Sequence, residues 1–143
     1  MATVASIADA INVQLLALDD VDIVSTDNFT PAIETATVAA LTLPFSQETS
    51  AKAIGQGSLL FVHRIRTEFW IKFVQGSESD TMDRAMDLGR LAINRLYTNN
   101  GTGYQLHLPS QFEYQVDQGM LQDTALPWLV CVLVTPVQDN GCD

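Results

Sequence analysis

The chain has no lysine or arginine before position 52 and none after position 95. Its seven bases (Lys52, Arg64, Arg66, Lys72, Arg84, Arg90 and Arg95) share that middle segment with five acids, while the two flanks carry acids alone. A formal net charge of −10 argues against independent binding to nucleic acid or to an anionic membrane. Cysteine is nearly absent as well. Cys131 lies in an apolar run and Cys142 is next to last, which makes no disulfide framework, and no histidine or second cysteine stands at metal-ligand spacing. No apolar run approaches the ~18 residues of a membrane span. Residues 1–18 lack a basic start and carry Asp9, so no signal peptide is expected and synthesis in the cytosol is. The motifs GxSxG, GxGxxG, HExxH and the Walker loop are all missing. No catalytic residue, cofactor or metal is expected.

Gly, Pro, Asn and Asp are also missing from residues 59–74, LLFVHRIRTEFWIKFV. Nothing there makes a turn. Ile65, Thr67, Phe69, Ile71 and Phe73 alternate with Arg64, Arg66, Glu68, Trp70 and Lys72, so one face is apolar and the other charged with a tryptophan. One continuous strand of this length spans roughly 50 Å at ~3.3 Å per residue, against a usual ~17–20 Å. The run therefore bends strongly or projects as an arm.

After Gln75-Gly76-Ser77 the pattern changes period. Met82, Ala85, Met86, Gly89, Ala92, Ile93 and Leu96 recur at three- and four-residue spacing, which predicts an amphipathic helix over about 78–98 with those residues on its buried stripe. Ser77 is the expected N-cap with Asp80 three residues on, and Asn99-Asn100-Gly101 the stop. A strand feeding the helix that covers it is a core-forming unit.

The rest of the chain arranges itself around that unit. Val4, Ile7, Ala8, Ile11, Leu15 and Leu18 predict a helix over about 3–18, followed by a short strand at 21–24, a loop at 28–31 and a strand at 37–43 closed by Pro44. Residues 46–57 are polar and predict a mobile loop or a short helix near 49–53. Residues 104–108 and 111–116 are short alternating segments around Pro109, and 118–126 a turn. The run WLVCVLV, 128–134, lies between Pro127 and Pro136 and is apolar on both faces, which places it centrally in a sheet or at an interface. Residues 138–143 are expected to fray. The sum is one α+β domain over residues 1–143, with a mixed or antiparallel sheet of about 4–6 strands and two main helices packed on it.

Some charged residues invite sharper readings. Asp19, Asp20 and Asp22 suggest a cation site, but carboxylates along an extended segment alternate sides, so helix termination is the better account. His63 and His107 have no sequence partner and are expected to be structural or superficial. Arg64 and Arg66 beside Trp70 resemble a stacking surface for a single strand. With so acidic a chain, a contact between subunits fits better, because Trp and Arg dominate interface hot spots. Arg64, Arg66, Glu68, Trp70 and Lys72 are therefore the candidate subunit-interface residues.

The order of elements, together with IADAINVQLLALDDVDIV, RTEFWIKFVQGSESDTMDRAMDLGRLAINRLY and PWLVCVLVTPV, resembles the tail terminator (tail completion) proteins of long-tailed bacteriophages, the minor tail protein U type. The likeness covers nearly the whole chain as an order of elements and residue types. Residues 46–57 and 120–126 have no counterpart in it. The resemblance implies a virion structural protein made in the host cytoplasm, a homo-oligomer forming a sixfold ring. The ring would cap the tail tube protein at full length and meet a neck or connector protein on its other face. It also implies DNA passing through the lumen without specific binding, which an acidic lining suits by repelling phosphate. Other readings stay open: a different neck or head-completion protein, a small non-viral α+β ligand-binding module, or an enzyme.

Overall fold

The computed structural model describes residues 4–19, 21–25, 38–51, 59–72, 78–108, 110–116 and 128–139. Its elements are, in chain order, helix α1 (Val4–Leu16), strands β1 (Ile23–Ser25), β2 (Val38–Ala51) and β3 (Leu59–Lys72), helix α2 (Glu78–Thr98), and strands β4 (Glu113–Val116) and β5 (Trp128–Asp139). The five strands form one mixed sheet in the order β1-β2-β3-β5-β4. Only β1 and β2 run parallel; every other pair is antiparallel. Both helices lie on the same face. The α+β class and the strand number follow the sequence reading.

Alternation decides which residues of β3 meet the helices. Ile65, Thr67, Phe69 and Ile71 are buried on the helix side. They pack with Leu129, Cys131, Leu133 and Val137 of β5 and with Ala85, Leu88, Ala92 and Leu96 of α2. Ile7, Ile11 and Leu15 of α1 complete this core. Each fully buried Leu, Ile or Phe contributes about 1.5–3 kcal/mol. Met86, expected on the buried stripe, is 57% exposed and Leu88 is buried instead. Because Ala85, Leu88, Ala92 and Leu96 carry the inner line, Met86 falls about a quarter-turn outside it.

The long strand is no free arm. β3 is the central strand, paired along its length with β2 on one side and from Phe61 to Lys72 with β5 on the other. Two long neighbours make its length possible. β2 does not stop at Pro44, where a register irregularity between Pro44 and Ser46 lets the chain continue to Ala51. Bulges accommodate proline, and β1 pairs only with Ala39 to Leu41, so Pro44 lies beyond that neighbour. Residues 46–51, read as loop or helix, are thus strand; 52–57 lie outside the described residues. β5 likewise runs through Pro136 to Asp139 rather than ending at 134, and 138–139 are part of it. Pro136 O accepts from His107 N and Gln138 N donates to Gln105 O, at 3.0 and 2.8 Å. A strand residue's N and O share a side, so the missing Pro136 N–H falls toward 105–107 and leaves the β3 ladder intact. Of residues 104–108 only Leu106 makes a bridge, to Val137.

The end of α2 is built from its sequence signal. Asn99 Nδ2 donates to Arg95 O at 2.9 Å, and Gly101 and Gly103 take φ of 102° and 96°. Those are left-handed values that glycine adopts without a Cβ penalty. A Cβ on Gly103 would also lie 2.9 Å from Ala10 Cβ, so this turn packs closely on α1. Arg95 Nε reinforces the contact by donating to Gln14 Oε1 at 3.0 Å. The expected N-cap Ser77, the loop at 28–31, the turn at 118–126, residues 140–143 with Cys142, and Asp20 all lie outside the described residues.

Candidate subunit interface

The five residues singled out from sequence lie on one face of β3, the face turned away from both helices. Strand periodicity alone brings them together, since residues i and i+2 point the same way about 6.6 Å apart. Glu68 links two of them. Arg66 Nη2 donates to Glu68 Oε2 at 3.0 Å, and Trp70 Nε1 donates to Glu68 Oε1 at 3.3 Å. One carboxylate thus fixes a guanidinium and an indole in a row. Arg66 and Glu68 side chains are 37% and 24% exposed, so the ion pair itself is worth at most about 1 kcal/mol. Its structural effect is to hold the indole and guanidinium in fixed positions. Arg64 is half-buried farther along the row, and Lys72 is exposed at the other end.

The register supplies a floor between these side chains. Val130, Val132 and Val134 of β5 stand opposite Trp70, Glu68 and Arg66, and all three valines are buried. On the β2 side Trp70 stands opposite Ala39, against which Trp70, Leu41 and Ile23 all pack. The face is therefore an apolar floor of small and branched residues crossed by a charged, indole-bearing ridge. Apolar centres with Trp and Arg are the usual make-up of interface hot spots. Among the described residues no helix packs on this face. The valine floor was missed as part of the site, although the two-faced apolarity of 128–134 was its signal.

Some titratable groups elsewhere make contacts within the fold. Among the described residues no His, Cys, Asp and Glu cluster could hold a metal ion. Asp22, weighed as part of a cation site, accepts from Val38 N through Oδ2 at 3.2 Å and so anchors the start of β2. His63 is buried on the helix side of β3, and His107 Nδ1 is 3.1 Å from Gln138 Oε1. Burial pushes the Cys131 thiol and the Tyr114 phenol upward, holding both neutral. Their protons stay in the core.

No family model matches the sequence. No curated protein matches it either. Among solved structures the chain is similar to the sheath/tube terminator of an extracellular contractile injection system, PVC, in its extended state, at 17% identity and a TM-score of 0.37. That likeness covers 96% of this chain and 57% of the other, so the chain spans a little over half the length of that terminator.

Proposed function

We propose that the chain is a tail terminator: a virion structural protein that caps a phage tail tube as a ring and joins the tail to the neck. The observation carrying this reading is the stretch on which the sequence resemblance rests. RTEFWIKFVQGSESDTMDRAMDLGRLAINRLY contributes the central strand and the helix that covers it. The same strand leaves Arg64, Arg66, Glu68, Trp70 and Lys72 on the outer side of the sheet, where a neighbouring subunit can dock. No catalytic role is assigned to any residue. The tube protein and a neck or connector protein are the proposed partners, with DNA passing through the lumen unbound.

Tail tubes grown in the presence of purified chain test the proposal. Elongation is expected to stop, with ring density at one tube end by electron microscopy. Tubes that keep growing with bare ends contradict it. Arg66→Glu is expected to weaken ring assembly while leaving the far-ultraviolet circular dichroism unchanged. A ring formed normally by that variant would remove the β3 face from the interface.

A further inference from the structure

The sheet has five strands and two helices to cover them. α1 packs chiefly on β1 and β2, and α2 on β3 and β5, which leaves β4 at the end of the sheet only half covered. Tyr114 sets that strand beside one flank of α2, with its hydroxyl on Ala85 O and its ring over Gly89. Along the same flank Met82, Met86, Ile93 and Tyr97 fall in one line, four, seven and four residues apart. Met82 and Ile93 are half-buried against the core, as are Tyr114 and Val116 on the helix side of β4. Met86 and Tyr97 are each 57% exposed. Together they form a continuous apolar seat, bordered by the ion-paired Arg90 and Asp87. α1 does not fill it, because α1 meets α2 through Gln14 and Arg95 on the other flank.

α1 has the converse need. Its sequence, VASIADAINVQLL, holds a single charged residue, Asp9. One side is buried in the core through Ile7, Ala8, Ile11 and Leu15, while the other leaves Val13 65% and Leu16 49% exposed, three positions apart. A helix apolar on both sides is the kind that is buried on both sides. Of the six large apolar side chains exposed among the described residues, four belong to this helix side and to the seat. We infer that Val13 and Leu16 of one copy dock on the seat that Met86, Tyr97 and β4 form in another. The occupant is a second copy of this chain, because the chain itself displays both halves: a seat that lacks a helix and a helix that lacks cover. The two halves are different surfaces, so one copy can give and receive at once and the contact can repeat from copy to copy. It lies on the layer opposite the β3 face and goes beyond the terminator reading, which does not require it.

Sedimentation velocity of two single-surface variants tests the inference. Both are made in a chain carrying Arg66→Glu, so that the β3 face contributes little. Val13→Lys/Leu16→Lys removes the helix half, and Met86→Lys/Tyr97→Lys removes the seat. Each alone is expected to self-associate at least tenfold more weakly than the Arg66→Glu parent. Mixed in equal amounts they should form a one-to-one pair, since one still offers the seat and the other the helix. Added sodium chloride should leave the association of the parent in place, because an apolar contact is not screened. Alanine at the same four positions puts no charge on either helix, should give the same pattern, and guards against misfolding of the lysine forms. Variants that stay monomeric and fail to pair on mixing overturn the inference, and so does loss of association in only one of the two. A parent that stays monomeric at high concentration overturns it as well. Tube capping by the native chain is scored separately, so capping that persists beside any of these failures leaves the terminator reading intact.

Discussion

Tyr114 joins three elements through one side chain. Its hydroxyl donates to Ala85 O at 2.6 Å, and its ring lies 6.4 Å from that of Phe69, tilted by 56°. The ring also occupies the space over Gly89, where an added Cβ would come within 2.6 Å of Tyr114 Cδ2. Gly89→Ala must therefore displace a partly buried ring held by a hydrogen bond, and a loss of about 1–3 kcal/mol is expected in denaturant titrations. Tyr114→Phe keeps the ring and loses the hydroxyl bond, for about 1 kcal/mol. The same residue carries a pH signature. Burial raises its pKa above the ordinary tyrosine value, as it does for Tyr104 and for the Cys131 thiol. A group whose folded pKa is raised contributes stability below its unfolded pKa and loses it as pH climbs toward the folded value. Stability is thus expected to fall above about pH 9–10, and Tyr114→Phe should flatten that alkaline limb. Gly89 was legible as a buried helix position, but its need to be glycine was not. That need comes from an aromatic ring 25 residues away in sequence, which no local pattern encodes.

The elements were legible where periodicity governs them and hidden where pairing does. The alternation of β3 and the spacing within α2 identify both elements because each buries one side. Residues 46–51 have no such pattern. They are strand because β3 is long enough to pair with them, and backbone hydrogen bonding asks nothing of side-chain polarity. Proline at 44 and 136 misled for a related reason: it ends a strand only where its missing N–H would face a ladder. The interior has its own polar seam that periodicity could not assign. Thr42 Oγ1 donates to Asn12 Oδ1 at 2.7 Å and is 3.0 Å from Thr67 Oγ1, linking α1, β2 and β3 within the core. Thr42→Val keeps the shape and removes the middle of the seam. A loss of about 1–3 kcal/mol is expected, and Thr67→Val added to it should cost less than in the native chain. Strictly additive losses in that double-mutant cycle would mean that the two hydroxyls act independently.

At the scale of the whole molecule, a two-layer fold has two outer faces, and here they differ. One is a helical surface on which Asp80, Asp83 and Asp87 stand among Arg84 and Arg90; the other is a sheet surface with an arginine and tryptophan ridge on a valine floor. The ridge was readable from sequence because a strand sorts its residues by parity. The floor and the clasp made by Glu68 were not, since they depend on β5 lying beside β3 and on the side chains that register sets face to face. In the terminator reading proposed above, the ridge face is where neighbouring subunits of an assembly meet. The central claim is that this assembly closes the tail. Electron microscopy of particles made when a stop codon truncates the gene tests it most directly. Unattached heads beside overlong tails are the predicted result, and heads already joined to tails of normal length would contradict it.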